Sequence, residues 1–330
     1  MKIQKDELLK KVQILAPYAK DNPRLENCDL LFFYNNRIWV TNGLILVSSK
    51  FETDEKTFSI PANELVKFLK KTKETEFDLK IDESSVSFVS KSINLDFGIT
   101  DIENEVKRFS FEIGEFEQLN EDFFEALEIC QKTANKDKDH ISSSVVFDID
   151  AATGGARIAA TCCDVDIKSS FCIHPIVSEF IIKNYPIEYC VLPENVVVMN
   201  GEDYQIKFKS HDISNFDGWR RFFEDFEGND IEFPKDFDKV IDECVIFKDD
   251  DNAINIKIFE NEAVIIGNKG AKGRIKKNIE FDGFNENIEF FVDSDLFYDS
   301  LKLTKKAKIN DHGIMFIGEK FKRIVKIKSV

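Results

Sequence analysis

Four histidines, His140, His174, His211 and His312, are the side chains best suited to acid–base or metal chemistry near neutral pH. None stands at metal-ligand spacing from another His or a Cys. Cys162-Cys163, with Cys172, falls in an apolar, strand-like run. Zinc sites use paired ligands near a C-x-x-C spacing, so these read as buried thiols. Residues 267–274, Gly-Asn-Lys-Gly-Ala-Lys-Gly-Arg, resemble a phosphate loop only in composition. The Gly-Lys-Ser/Thr ending is missing and a strand follows, so the segment reads as a hairpin. No Gly-x-Ser-x-Gly is present, and no pair among the many carboxylates stands out. The expectation is a protein that is not an enzyme, with no catalytic residue, no metal and no cofactor.

Lysines are the more informative residues. Lys67, Lys70, Lys71 and Lys73 lie off the apolar stripe of one predicted helix, opposed only by Glu64. Lys5, Lys10 and Lys11 belong to the first helix, and Lys20 and Arg24 follow it; Lys302, Lys305 and Lys306 end the last helix. Read alone, these are solvated helix faces whose cations suit helix C-termini. They also suit sequence-independent contact with phosphates on opposite sides of a duplex. Two other helices are mixed or acidic (Glu121, Asp122, Glu125, Glu128; Asp238, Asp242, Glu243), so contact with a polyanion would be weak. The formal charge of −16 argues against a protein that coats nucleic acid through net charge.

The elements that carry these residues recur. Each of six units has a helix of about three turns followed by two or three alternating strands, often with a short strand in front. Helices are predicted over 6–19, from Pro61, after Asn120, over 175–184, 234–247 and 294–303. Predicted strands include 30–34, 37–50, 57–60, 77–81, 86–90, 93–99, 111–113, 144–148 and 157–173, with Gly154-Gly155 as a turn. Later ones are 187–192, 196–199, 204–210, 231–233, 253–259, 263–267, 274–281, 288–292, 307–309, 313–317 and 321–328. The six units pair into three domains, 1–108, 109–215 and 216–330, with boundaries in the charged stretches 101–108 and 211–230. Each domain holds two helices against antiparallel sheet, an α+β class.

Length and composition agree. The 330 residues are 43% hydrophobic, enough for two or three cores, and include 32 Phe. No apolar h-region opens the chain and no run of about 18 apolar residues occurs, so neither a signal peptide nor a membrane span is expected. Seven cysteines at irregular spacing read as reduced thiols in a cytoplasmic protein.

In order and spacing of elements the whole chain resembles the bacterial DNA polymerase sliding clamp, the DNA polymerase III beta subunit family. Residues 58–65, Phe-Ser-Ile-Pro-Ala-Asn-Glu-Leu, look like the family's strand-to-helix entry, and 285–303 look like its "i-x-F-N-x-x-Y-L-x-D-A-L" stretch. Met1-Lys2-Ile3 with Leu8-Leu9, and Pro23-Arg24-Leu25 before a strand, are similar too. The chain departs where the family has Ala-Thr-Asp-Gly-His-Arg-Leu, here Ala160-Thr161-Cys162-Cys163-Asp164-Val165-Asp166-Ile167. It departs again at the C-terminal Met-Pro-Met-Arg-Leu, here Lys326-Ile327-Lys328-Ser329-Val330. Such a divergent, shorter member would suit a phage or mobile element.

The resemblance implies a homodimeric ring of clamp domains around duplex DNA, a processivity factor for a replicative polymerase. It places Lys10, Lys11, Lys20, Arg24, Lys67, Lys70, Lys71, Lys302, Lys305 and Lys306 toward DNA. It places Val165, Ile167, Phe222, Phe223, Val325 and Ile327 in a pocket for short peptides from polymerase and clamp loader. Leu95 and Phe97 of one subunit would meet Ile246, Phe247 and strand 253–259 of the next. Two alternatives are a clamp-like protein-binding module or decoy that does not encircle DNA, and an enzyme on a repeat scaffold, for which no residue pattern speaks.

Overall fold

The computed structural model describes residues 1–330 except 21–25, 54–55, 83, 101, 103–105, 107–108, 135–142, 157, 214–217, 260, 283, 285 and 330. Seven α-helices lie among the described residues: α1 Lys5–Leu15, α2 Ala62–Lys71, α3 Glu121–Gln131, α4 Pro175–Asn184, α5 Trp219–Glu224, α6 Phe237–Val245 and α7 Ser294–Leu303. The chain forms two compact units, Met1–Asn120 with Glu179–Ser210, and Glu121–Ser178 with His211–Val330.

In the first unit, Leu8, Val12 and Leu15 recur at helical spacing and bury one face of α1. Ala62, Leu65 and Leu69 do the same for α2, with Pro61 at its N-cap and Lys70 and Lys71 in its last turn, where cations suit the helix dipole. The two helices pack on each other. One antiparallel sheet has the order Lys2–Gln4, Glu76–Ile81, Ser85–Val89, Asn94–Gly98. The other has eight strands and joins distant parts of the chain where Ile45–Lys50 pairs with Tyr204–Lys209, Ile45 opposite Phe208. The single strand expected over 37–50 is two, Arg37–Thr41 and Ile45–Lys50. Asn42 breaks it, because its side-chain oxygen accepts from the Leu44 and Ile45 amides at 3.0 and 3.1 Å, and Gly43 takes φ 86°. No strand forms at 111–113. There the Glu112 amide donates to the Gln205 side chain at 2.9 Å, and a short strand, Glu117–Gln118, precedes α3 instead.

The second unit is built on one branched antiparallel sheet of twelve strands. Phe321–Ser329 is its hub. It pairs with Ala159–Asp164 on one side and Gly313–Ile317 on the other, and its end pairs with Ile288–Asp293. Helices α6 and α7 pack together over a core rich in phenylalanine, in which Phe233 contacts Phe237, Phe281, Phe297 and Phe316 with ring centroids 5.2–5.9 Å apart. Such edge and offset pairs add about 0.5–1.5 kcal/mol each beyond the area they bury.

Three expectations need correction in this unit. Gly154-Gly155 is not a turn but the middle of strand Ala151–Ala156; the turn lies at 149–150, where Asp150 takes φ 65°. The run 157–173 contains two strands, Ala159–Asp164 and Phe171–Ile173. Helix α6 is shorter than 234–247, since the Phe237 amide meets the Pro234 carbonyl in a turn before it. Helix α5 lies within the charged stretch 211–230.

Candidate nucleic-acid and partner surfaces

On α1 and α2 of the first unit, Lys10, Lys67, Lys70 and Lys71 are exposed or half-exposed, Lys11 is half-buried, and Lys20 is exposed beyond the 3-10 turn that follows α1. Lys10 lies 3.6 Å from the Asp203 carboxylate. Among the described residues no carboxylate comes within 4 Å of Lys67, Lys70 or Lys71, so their charge is free to meet an anion. Arg24 lies outside the described residues.

In the second unit Lys302 and Lys306 are exposed. The Lys302 ammonium sits 4.1 Å from the Tyr298 ring centroid, and its pKa is raised first by its contact with the Tyr298 side chain. Lys305 is committed elsewhere. It donates to Asp238 at 2.7 Å and to the Leu301 carbonyl at 2.8 Å. Burial pushes the Asp238 carboxyl up, yet the bond and charge of Lys305 hold it below its ordinary range. Lys305 therefore fastens α6 to the end of α7 more than it offers charge to solvent.

A groove of about 750 Å³ opens beside α5. Ile158, Ala160, Phe222, Phe226 and Ile324 supply its apolar surface, and Arg221, Asp225, Glu227 and Lys326 its charged rim. Phe222 is 58% exposed, an unusual degree for a phenyl ring beside other apolar groups. Of the six residues expected here, Phe222 lines the groove. Phe223 turns inward against Met315 and Ile324 and borders a smaller cavity with Trp219 and Cys162. Val165 and Ile167 are buried away from the groove. Val325 and Ile327 point into the core of the other sheet face. The strand period of two explains the last pair: Ile324 and Lys326 face the groove, so their neighbours cannot.

Leu95 and Phe97 lie on Asn94–Gly98, one of the two edge strands of the four-stranded sheet, with Phe97 packed 6.0 Å from Phe88. Ile246 is 69% exposed just past α6, and Phe247 is half-buried over Gly267 and Gly273. Ala253–Phe259, expected to receive the edge, cannot do so by strand pairing. It is bonded on both sides, to Glu262–Asn268 and to Ile288–Asp293. An edge strand on that side of the sheet is Arg274–Glu280, with Arg274 and Lys276 exposed.

No protein-family model and no curated protein matches the chain. Solved structures do. The DNA polymerase III beta chain of Streptococcus pneumoniae superposes with a TM-score of 0.87 at 11% identity, covering 100% of this chain and 99% of that one. The DNA polymerase III subunit beta of Pseudomonas aeruginosa gives 0.82 at 11% identity with 100% of both chains covered. A Bartonella birtlesii sliding clamp bound to griselimycin gives 0.84 at 13%, covering 100% and 99%. The chain has the sliding-clamp fold. The α+β class expected from the repeated helix and strand units is the one found. Among the described residues no helix is long and apolar enough to cross a membrane, and no group of three or more His, Cys, Asp or Glu is placed to hold a metal ion.

Proposed function

We propose that the chain is a DNA sliding clamp, a non-catalytic processivity factor that encircles duplex DNA and tethers a polymerase. The observation that carries this reading is the end-to-end likeness to the S. pneumoniae beta chain, TM-score 0.87 over 100% of this chain and 99% of that one. A ring that holds DNA by linkage needs only weak contact with it. A net charge of −16 with a few unpaired helix lysines fits that need, since it disfavours DNA on the wrong surface while leaving phosphate contacts on the right one. In this reading the chain contributes three domains, near 1–108, 109–215 and 216–330, to a head-to-tail homodimer in the cytoplasm. The edge strand Asn94–Gly98, carrying Asp96, pairs with the edge strand Arg274–Glu280, carrying Arg274 and Lys276. Unpaired edges invite such pairing, and the opposite charges favour it.

The test is retention on DNA. A clamp loaded on a nicked circle should stay bound in high salt and leave when the circle is linearised, while the purified protein sediments at twice 38.1 kDa. Equal retention on both DNA forms would sink the encircling mechanism.

The groove beside α5 is the proposed dock for short peptides of the polymerase and the clamp loader, apolar side chains entering against Phe222 and Ile324. Phe222→Asp should weaken binding of a polymerase C-terminal peptide at least about tenfold with little change in thermal stability, because the ring is already exposed in the free protein. Unchanged affinity by calorimetry would place the dock elsewhere.

A further inference from the structure

Beneath the sheet of the second unit lies a polar cluster that neither DNA nor partner binding uses. The Cys130 thiol, on α3, donates to Cys163 Sγ on strand Ala159–Asp164 at 3.7 Å. The seat of α3 is tight. Arg323 is fully buried and donates to Thr161 Oγ1 at 3.0 Å, to the Ile129 carbonyl at 3.0 Å and to Ser300 Oγ at 3.4 Å. Thr133 Oγ1 donates onward from the helix end to the Gly154 carbonyl at 2.9 Å. The two sulfurs are therefore held in contact by a rigid frame. They are not brought together by a flexible loop.

We propose that Cys130 and Cys163 are an oxidisable dithiol that closes to a disulfide with a small peroxide. Two observations of geometry support it. The sulfurs touch with nothing between them, and side-chain rotation from 3.7 Å toward the bonded distance of about 2.05 Å is a small motion. Cys163 borders an open cavity of about 390 Å³, together with Ile129, Leu303 and Phe321, which gives a small oxidant a way in. The guanidinium beside them has only neutral hydrogen-bond partners among the described residues. Burial pushes the Cys130 thiol up and its contact with Cys163 adds to the push, while the Arg323 guanidinium, which also feels the Asp299 carboxylate, offsets only a smaller part of it.

The steps balance. Cys163 sulfur attacks one peroxide oxygen, the O–O bond breaks, and water leaves as Cys163 becomes a sulfenic acid. Cys130 sulfur then attacks that sulfur, the S–O bond breaks, and the departing hydroxide takes the Cys130 proton as a second water. Two thiols supply two electrons to one peroxide. The bond ties the C-terminal turn of α3 to the sheet across 33 positions of chain, so it should raise the unfolding temperature of this unit by about 5 °C.

The experiment treats the full chain with hydrogen peroxide, then unfolds it, alkylates free thiols and maps the peptides by mass. Expected are one link between Cys130 and Cys163, a rise in melting temperature reversed by dithiothreitol, and the same link in Cys162→Ser. In Cys130→Ser and Cys163→Ser both the link and the rise should vanish; if either variant fails to fold, the wild-type peptide map decides alone. Alkylation of both thiols in oxidised wild type, or a link through Cys162, would overturn the proposal.

Discussion

Reversing Lys67, Lys70 and Lys71 to Glu together should abolish stable loading on DNA and cut binding to short linear duplexes more than about tenfold. The three ammonium groups stand on the solvent side of α2 without carboxylate partners within 4 Å among the described residues. Removing one lysine–phosphate pair reduces the steepness of log K against log salt by about 0.9, so removing three reduces it by about 2.7. The substitution also puts two acids in the last turn of α2, which costs about 0.3–1 kcal/mol each against the helix dipole. A Lys→Gln triple variant separates the two effects. It removes the ion pairs without adding repulsion, and should show the reduced slope with a smaller fall in affinity. Because the buried stripe Ala62, Leu65 and Leu69 is untouched, circular dichroism and groove-peptide affinity should stay as in the parent. A parent-like salt slope in both variants would remove α2 from the DNA surface.

What could be read from sequence follows how locally each feature is determined. Helices α2, α4 and α7 carry their own stripes and start signals, and the predicted bounds 175–184 and 294–303 are those observed. Helix α5 has six residues, too short for a stripe to repeat, and its charged flanks resemble a linker. Placing residues on the groove face of Phe321–Ser329 needed its register, which Gly313–Ile317, Ile288–Asp293 and the distant Ala159–Asp164 set together, Cys163 opposite Phe321. The same holds for edge and interior strands. Ala253–Phe259 and Arg274–Glu280 are both plausible edges by composition, and only the pairing order distinguishes them. For the groove the sequence supplied Phe222 and the neighbourhood of its apolar partners, while the alternation of Ile324 and Lys326 against Val325 and Ile327 came from the sheet.

Gly154→Ala should destabilise the second unit by about 3 kcal/mol or more, one of the largest single-residue effects in the chain. A Cβ built at Gly154 lies 2.3 Å from the Cys130 carbonyl oxygen and 2.9 Å from its carbon, both backbone atoms at the end of α3. Neither can rotate aside, so α3 or strand Ala151–Ala156 must shift. That shift would strain the hydrogen bonds of Thr133 to the Cys130 and Gly154 carbonyls and of Arg323 to Ile129. The adjacent glycine provides the control. At Gly155 the nearest atom to a new Cβ is Ala160 Cβ at 3.3 Å, a side-chain contact that a few tenths of an ångström relieves. In extended backbone Gly→Ala also narrows the unfolded ensemble, worth about 0.4–1 kcal/mol of stabilisation, so Gly155→Ala should be close to neutral. Two neighbouring residues with the same substitution thus differ only in what the added methyl meets. Urea unfolding of the two variants reads the difference directly. Equal midpoints would mean that α3 is not seated against Gly154, and would remove the rigid frame that holds Cys130 against Cys163.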